Sequence, residues 1–159
     1  MRDNKLRSLW AANKKAVNGW LAIPDSFAAE VMALQGYDTL TIDLQHGLID
    51  TRVLVPMLQA IQSTPTMPMV RVPWLEPGVI MKTLDAGAQA LICPMVNTRE
   101  EAQRLVQYAR YAPLGARSFG PVRAGLVHGA DYAEAANADT VVFAMIETAQ
   151  ALDNLDAIL

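Results

Sequence analysis

Short apolar runs alternate along this chain with longer stretches in which apolar residues recur every three or four positions. The short runs are rich in Val, Ile and Leu, which is typical of strands in a parallel sheet, and the longer stretches have the spacing of amphipathic helices. This alternation predicts βα units around a parallel sheet. Five strands are predicted, at residues 17–23, 39–43, 67–71, 90–93 and 140–146.

Helix start and stop signals fall between these strands. Asp50 is a good N-cap before an apolar stripe, Pro77 opens a helix, and Thr98 with Glu101 three residues later predicts a capping box. Gly36 is a helix C-terminal signal. Helices are predicted at residues 26–35, from about 50, at 77–84, from 98, at 131–136 and from 148 to the end.

A long connection rich in Gly, Pro and Arg is predicted at residues 111–129. Loops of this length in compact domains are usually functional or mobile. His128 lies in this segment without a partner at a recognisable spacing, so we expect it at the surface. Cys93 lies in an apolar run and is expected in the core, and the Met and Trp residues are interpreted as packing residues.

The predicted units could form a doubly wound sheet or a (β/α)₈ barrel, because periodicity alone does not separate the two. No Gly-x-Gly-x-x-Gly or P-loop sequence follows any predicted strand, which removes the main support for a nucleotide-binding doubly wound sheet. A barrel places its chemistry at the C-terminal ends of many strands, where this chain has its unusual polar residues. A barrel is therefore the favoured α/β fold.

Composition narrows the class of protein. The 159 residues are 52% hydrophobic and 18% charged, which indicates one water-soluble globular domain. Thirteen Lys and Arg against sixteen Asp and Glu give a net charge of -3, without the basic block that nucleic acid binding needs. A single cysteine, no signal-peptide pattern and no apolar run of membrane-spanning length predict a cytoplasmic protein that does not interact with membranes.

The candidate chemistry lies at the predicted strand ends, in Asp43, His46, Arg71 and Glu147. In a barrel these residues would reach one small ligand. Glu147 could hold a hard divalent cation that stabilises an enolate, and His46 could carry a proton with Asp43 orienting its ring. Arg71 offers a permanent charge and a planar fork of donors to an oxyanion. Together they indicate an aldolase.

Structural interpretations of the same residues remain open. His46 could be an ordinary turn residue, Arg71 could pair with a structural carboxylate, and Glu147 could stabilise the start of its own helix. Lysines bear on the mechanism, because an imine-forming aldolase needs one inside the barrel. None is predicted on a strand interior; the lysines are Lys5, Lys14, Lys15 and Lys82.

Seven motifs follow one another in order: Asn18-Gly19-Trp20, the Asp-x-x-His-Gly pattern at 43–47, Arg71-Val72-Pro73, residues 82–87, Pro94-Met95-Val96-Asn97, the segment 115–118 with 120–124, and Ile146-Glu147-Thr148. This ordered set resembles the HpcH/HpaI aldolase family over nearly the whole chain. The resemblance implies a (β/α)₈ barrel of the phosphoenolpyruvate/pyruvate type. It also implies a class II aldolase that uses Mg²⁺, Mn²⁺ or Co²⁺ to cleave a 4-hydroxy-2-oxo acid into pyruvate and an aldehyde.

The same resemblance implies residue roles. His46 would be the catalytic base and Asp43 its partner, with Asp85 a second acid in the same network. Arg71 would stabilise the keto or enolate oxygen of the substrate. Glu147 would be one of two carboxylate metal ligands.

Two departures from the family pattern matter. Met145 stands where the family often has a substrate-facing Gln, and the second metal carboxylate is expected beyond Leu159. Five units do not close a barrel, which typically needs about 250 residues. We therefore expect residues 1–159 to be the N-terminal portion of a single barrel domain. Full-length relatives are trimers of dimers, so a homo-oligomer is expected.

Other functions remain possible on the same scaffold. Oxaloacetate decarboxylation or citrate-lyase-like cleavage would also pass through a pyruvate enolate. Cleavage of an acyl-CoA would need extra basic residues, for which Arg117 and Arg123 are the candidates. A non-enzymatic alternative is an inactive fragment that serves as an assembly unit.

Overall fold

Strands and helices alternate along the chain in the computed structural model, which describes residues 4–159. The strands are β1 (Asn18–Leu21), β2 (Thr39–Asp43), β3 (Met67–Arg71), β4 (Ala90–Cys93) and β5 (Val141–Ala144). The helices are α1 (Lys5–Ala11), α2 (Ser26–Ala33), α3 (Thr51–Gln62), α4 (Pro77–Asp85), α5 (Arg99–Ala109), α6 (Val122–His128), α7 (Tyr132–Asp139), α8 (Ala149–Asp153) and α9 (Leu155–Ile158). Within the described part of the chain, no helix combines the length and apolar character that crossing a membrane requires.

The strands form one parallel sheet in the order β1-β2-β3-β4-β5. Each strand therefore pairs with the next one along the chain, whereas a doubly wound sheet reverses its order at a switch point. Consecutive order is the arrangement of barrel strands. The topology agrees with the predicted barrel-type α/β fold.

Successive strand residues face opposite sides of this sheet. One side packs against the helices in a core that includes Leu40, Val70 and Leu91, all fully buried. The other side, the inner face, carries a smaller apolar cluster with Met69 and Val141. Asp43 and Arg71 also lie on the inner face, two residues further along their strands than Thr41 and Met69.

Helix α1, which the hydrophobic pattern did not predict, covers the start of the inner face. Leu6 packs there with Met67, and Asn4 fastens the helix because its side-chain amide donates to the carbonyls of Gln89 and Asp139, at 3.2 and 2.8 Å. The predicted lack of a signal peptide concerned residues 1–15, of which residues 1–3 lie outside the described residues.

Local signals located most of the remaining elements. The predicted bounds of β2, β3 and β4 are confirmed, as are the N-cap at Asp50 and the capping box of Thr98 and Glu101. The sheet pairing of β1 and β5 is shorter than the apolar runs that predicted them. The single final helix was wrong: Asn154 leaves the helical conformation, and its side chain donates to the carbonyl of Asn97 at 2.8 Å.

The prediction of a long irregular loop at 111–129 was also wrong, because α6 forms within it and packs beside α4. Arg123 at the start of α6 donates to the carbonyl of Ala86. His128 is buried rather than at the surface. Its ring stacks on Tyr132 with centroids 5.6 Å apart, and its Nε2 lies 3.1 Å from the carbonyl oxygen of Gly87.

Candidate active site

A buried ion pair joins the C-terminal ends of β2 and β3. Arg71 Nε donates to Asp43 Oδ1 at 2.9 Å, and Arg71 Nη2 donates to Asp43 Oδ2 at 2.6 Å. The side chains are 13% and 4% exposed, respectively. Two parallel bonds of this kind fix the plane of the guanidinium as well as its distance from the carboxylate.

Asp43 accepts three further hydrogen bonds. They come from Trp20 Nε1 at 3.2 Å and from the backbone N–H groups of Gln45 and His46, at 3.0 and 3.2 Å. Burial by itself would raise the pKa of Asp43, but the hydrogen bonds from Arg71, Trp20 and the two backbone groups outweigh it and hold the pKa well below its usual range. Asp43 is therefore a charged anchor that already has five donors.

The contact between Asp43 and His46 differs from the predicted one. The carboxylate bonds to the backbone of His46, so it orients the loop rather than the imidazole ring. Within residues 4–159 the His46 ring makes no hydrogen bond, and the residue is exposed. Asp43 thus fixes where His46 stands and leaves its ring nitrogens open to a ligand.

Gly47 completes this loop because no side chain fits at its position. A Cβ there would lie 2.3 Å from the carbonyl oxygen of Asp43 and 3.2 Å from Cα of Ala22. The following residue, Leu48, donates its N–H to the carbonyl of Ala22 at 3.0 Å. The Asp-x-x-His-Gly pattern therefore encodes a tight turn that holds His46 at the rim of the sheet.

Arg71 has one edge of its guanidinium committed and one edge open. Nε and Nη2 bind Asp43, whereas Nη1 makes no hydrogen bond to any described residue. The guanidinium also lies over the ring of Trp20, with its central carbon 4.9 Å from the ring centroid. The hydrogen bonds to Asp43 raise the pKa of Arg71 against the effect of burial, and the charge of Glu147 acts in the same direction.

Trp20 is a site residue that the sequence interpretation treated as packing. It contacts both members of the ion pair, with its Nε1 on Asp43 and its ring face under Arg71. Trp20 pairs with Thr41 and so faces the inner side of the sheet. This pairing would have placed Trp20 in the site, but the sequence alone does not give it. Below it, the Asn18 side-chain amide lies 2.8 Å from Thr39 Oγ1 and 3.1 Å from Thr41 Oγ1.

Glu147 lies beyond the end of β5 and is exposed. Its Oε1 accepts the backbone N–H of Met95 at 2.8 Å, and its Oε2 makes no hydrogen bond to the described residues. The cap of α8 is Thr148, whose hydroxyl accepts the N–H of Ala151 at 3.0 Å. Glu147 is therefore not used as a cap of its own helix.

Among the described residues at the strand ends, Glu147 is the carboxylate with an oxygen that could bind a metal ion. Residues 4–159 contain no group of three or more His, Cys, Asp or Glu side chains that could hold a metal ion. A carboxylate oxygen free at a strand end suits a hard divalent cation, but Asp43 has its acceptors occupied. The described residues thus offer one protein ligand of a metal site.

Met145 precedes this carboxylate by two residues. Its N–H donates to the carbonyl of Cys93 at 2.9 Å, so the backbone continues the sheet beyond β5. Strand alternation then places Met145 on the inner face, like Phe143. A thioether there provides apolar contact and only a weak acceptor.

The prediction that Asp85 joins the network of Asp43 was wrong for a single chain. Helix α4 runs back from the C-terminal end of β3, so Asp85 at its own C-terminus lies near the N-terminal ends of the strands. There it binds Arg117 Nη2 at 2.6 Å. Arg117 has a fully buried side chain, lies over the Tyr111 ring at 4.4 Å, and donates to the Tyr132 hydroxyl at 3.2 Å.

Residues 19–159 match the family model described as HpcH/HpaI aldolase/citrate lyase. A hydroxypyruvate/pyruvate aldolase of Rhizorhabdus wittichii is 47% identical over 156 residues, which are 98% of this chain and 62% of that protein. A 5-keto-4-deoxy-D-glucarate aldolase of Escherichia coli is 34% identical over 157 residues, which are 98% of this chain and 61% of that protein.

Solved structures give the same result. An HpcH/HpaI aldolase/citrate lyase family protein from Burkholderia cenocepacia J2315 superposes with a TM-score of 0.90 at 34% identity, over 98% of this chain and 64% of that one. The citrate synthase SbnG superposes with a TM-score of 0.83 at 34% identity, over 98% of this chain and 60% of that one. The chain therefore spans less than two thirds of the length of these relatives.

Proposed function

Because this chain belongs to the HpcH/HpaI aldolase/citrate lyase family, we propose that it carries the pyruvate-binding side of a metal-dependent aldolase. The family match confirms the resemblance drawn from the ordered motifs, and the similarity to these barrel-type structures confirms the fold class. The proposed reaction is the reversible cleavage of a 4-hydroxy-2-oxo acid into pyruvate and an aldehyde. The observation that carries it is the open Nη1 edge of Arg71, fixed by Asp43 at the same rim as His46 and Glu147.

Arg71 would bind the oxygen on which negative charge accumulates. Cleavage of the C3–C4 bond leaves its electron pair on the pyruvate part as an enolate, whose charge resides largely on the 2-oxo oxygen. A guanidinium already held in place by Asp43 needs no reorganisation as that charge develops. The pairing with Asp43 also keeps Arg71 fully charged, since it raises the pKa of Arg71.

His46 would move the proton. In the cleavage direction it takes the proton of the C4 hydroxyl, so that this carbon leaves as an aldehyde, and the enolate then gains a proton at C3 to give pyruvate. An imidazole near neutral pH suits both steps. The tight turn from Asp43 to Gly47 supports this role by fixing the His46 backbone while its ring remains free of protein partners.

Glu147 would supply the protein ligand for a divalent cation such as Mg²⁺, Mn²⁺ or Co²⁺ through Oε2. When bound, such a cation polarises the 2-oxo group and offsets the enolate charge. A second carboxylate is expected outside residues 4–159. The lysine positions support this mechanism over an imine: Lys82 lies on α4, Lys5 lies on α1 and pairs with Asp38, and none of the lysines belongs to a strand.

One observation favours a second candidate. A solved structure at 34% identity is a citrate synthase, so a pyruvate-type enolate reacting with a different partner is the alternative on this scaffold. The version that cleaves an acyl-CoA has less support, because Arg117 is buried against Asp85 and Arg123 binds the carbonyl of Ala86. These were the basic residues available for the nucleotide.

The test is pyruvate release from 4-hydroxy-2-oxo acids by the purified full-length protein, with and without Mn²⁺. We expect release that disappears on chelation, and its loss in His46→Ala and Glu147→Gln. Glu134→Gln, an exposed acid on α7, is the matched control and should keep the wild-type rate. Equal rates in Glu147→Gln and Glu134→Gln would overturn the role of Glu147, and no release under any condition would overturn aldolase activity of this chain.

A further inference from the structure

The motif Pro94-Met95-Val96-Asn97 contains a backbone outlier next to the candidate site. Met95 has a φ of 57°, in the left-handed region that side chains other than glycine rarely adopt. Such a conformation persists only when surrounding contacts hold it, and outliers of this kind concentrate at functional sites. In Met95 the backbone is held on both sides: its N–H donates to Glu147 Oε1 at 2.8 Å, and its carbonyl accepts from Asn97 Nδ2 at 2.9 Å.

Asn97 uses all of its polar groups in this region. Its backbone N–H donates to Glu101 Oε2 at 2.7 Å, and its carbonyl accepts from the Asn154 side chain at 2.8 Å. Its Oδ1 accepts from the hydroxyl of Thr148, the residue that follows Glu147. Asn97 therefore connects the loop after β4 with the loop after β5 and with the junction of α8 and α9.

From these contacts we propose that Asn97 is a positioning residue that, acting through Met95, holds the Glu147 carboxylate with Oε1 engaged and Oε2 presented to a ligand. The restraint on Glu147 acts through two hydrogen bonds. The carboxylate itself is bound by the Met95 amide, and the next residue, Thr148, is bound by the Asn97 side chain.

A constraint of this kind matters because Glu147 is exposed and long. An unrestrained glutamate loses rotamer freedom when it binds a cation, and that loss weakens binding. A carboxylate already fixed by one hydrogen bond loses less, and a fixed ligand orientation is what a supporting shell of hydrogen bonds provides. The identity of that ligand as a divalent cation rests on the proposed function, whereas the restraint on Glu147 does not.

The test compares Asn97→Ala with Asn137→Ala. Asn137 is a matched control, because its side chain also bonds a backbone N–H and a backbone carbonyl, both of Tyr111, away from Glu147. Chains labelled with ¹⁵N-methionine report the Met95 amide, which is assigned by its shift in Glu147→Gln. We expect the Met95 amide proton of Asn97→Ala to move upfield and to exchange about tenfold faster, as loss of one hydrogen bond predicts. In Asn137→Ala it should stay as in the wild type.

Titration with Mn²⁺ is the second readout, because a bound paramagnetic ion broadens nearby amide signals. We expect broadening at Met95 in the wild type and a several-fold higher Mn²⁺ requirement in Asn97→Ala. Faster exchange in Asn97→Ala without any broadening in the wild type would support the restraint and overturn the cation role of Glu147. An unchanged Met95 amide in a folded Asn97→Ala chain would overturn the restraint itself.

Asn97→Asp covers the case in which Asn97→Ala does not fold. It keeps an acceptor for Thr148 and loses the donor to the Met95 carbonyl, and it adds a negative charge at this position. The proposal predicts the same upfield shift of the Met95 amide in this variant, together with wild-type circular dichroism. A wild-type Met95 signal in Asn97→Asp would contradict it.

Discussion

Asp43 and Arg71 are paired in the register of β2 and β3, and their side chains are also joined, by two hydrogen bonds. The sheet ladder therefore sets the position of the guanidinium before any ligand arrives. Because the carboxylate occupies Nε and Nη2, Nη1 is the nitrogen left to bind a ligand. The register of β2 and β3 therefore fixes the donor that is proposed to bind the oxyanion.

Asp43→Asn should destabilise the fold in a pH-dependent manner. The pKa of Asp43 is lowered on folding, so its charged form contributes stability that is present above the unfolded value of about 3.8 and is lost as the pH falls toward the lower folded value. Breaking the pair should cost about 3 kcal/mol at pH 7. Urea unfolding of both proteins between pH 7 and pH 3 measures this. A difference in the free energy of unfolding that does not shrink below pH 4 would contradict the assignment.

Arg71→Lys should lose most of any pyruvate-releasing activity while keeping the charge. A lysine cannot bind Asp43 through two parallel bonds and still present a donor at the position of Nη1. Loss of one preorganised donor to an oxyanion typically lowers kcat by about 100-fold or more. The coupled pyruvate assay gives kcat and KM separately. A rise in KM with an unchanged kcat would instead assign Arg71 to binding of the substrate in its ground state.

Cys93 should not react with a thiol reagent while the protein is folded. The side chain is fully buried, and burial, with smaller contributions from the charges of Glu101 and Glu147, raises the pKa of the thiol to about 12. The thiolate that reacts is therefore almost absent at pH 8. A colorimetric disulfide reagent should label no thiol in buffer and one thiol per chain in guanidinium, since the chain has one cysteine. Rapid labelling in buffer would show that the β4 end opens readily.

Arg117→Met should destabilise the fold strongly, even though Arg117 is far from the candidate site. The change leaves Asp85 without its partner and removes the contact with the Tyr111 ring, so a loss of about 3 kcal/mol is expected. Arg104→Met is the control, because Arg104 is half exposed and lies 3.9 Å from Glu101; it should change stability by less than about 1 kcal/mol. Thermal or urea unfolding separates the two. Equal stability of both variants would mean that the buried pair contributes nothing measurable.

Local chemistry determined much of this protein from the sequence. The bounds of β2, β3 and β4 followed from short apolar runs, and the starts of α3 and α5 followed from Asp50 and Thr98, because strand burial and helix capping depend on residues a few positions apart. The ordered motifs determined the family. The same spacing rules also placed polar residues at the strand ends, and the structure brings Asp43, Arg71 and the His46 loop together there.

Tertiary structure alone decided which polar groups meet. Trp20 binds Asp43 across 23 residues of sequence, and Asp85 binds Arg117 across 32. The second contact lies at the opposite ends of the strands from the site where Asp85 was expected. His128 is buried because α6 packs beside α4 and α7 packs against α6. No local sequence pattern predicted this packing. A hydrogen bond between distant residues depends on strand register and on the direction in which each helix returns. Those quantities are fixed by the packing of the whole sheet, so the sequence determined most of the elements and the packing determined their partners.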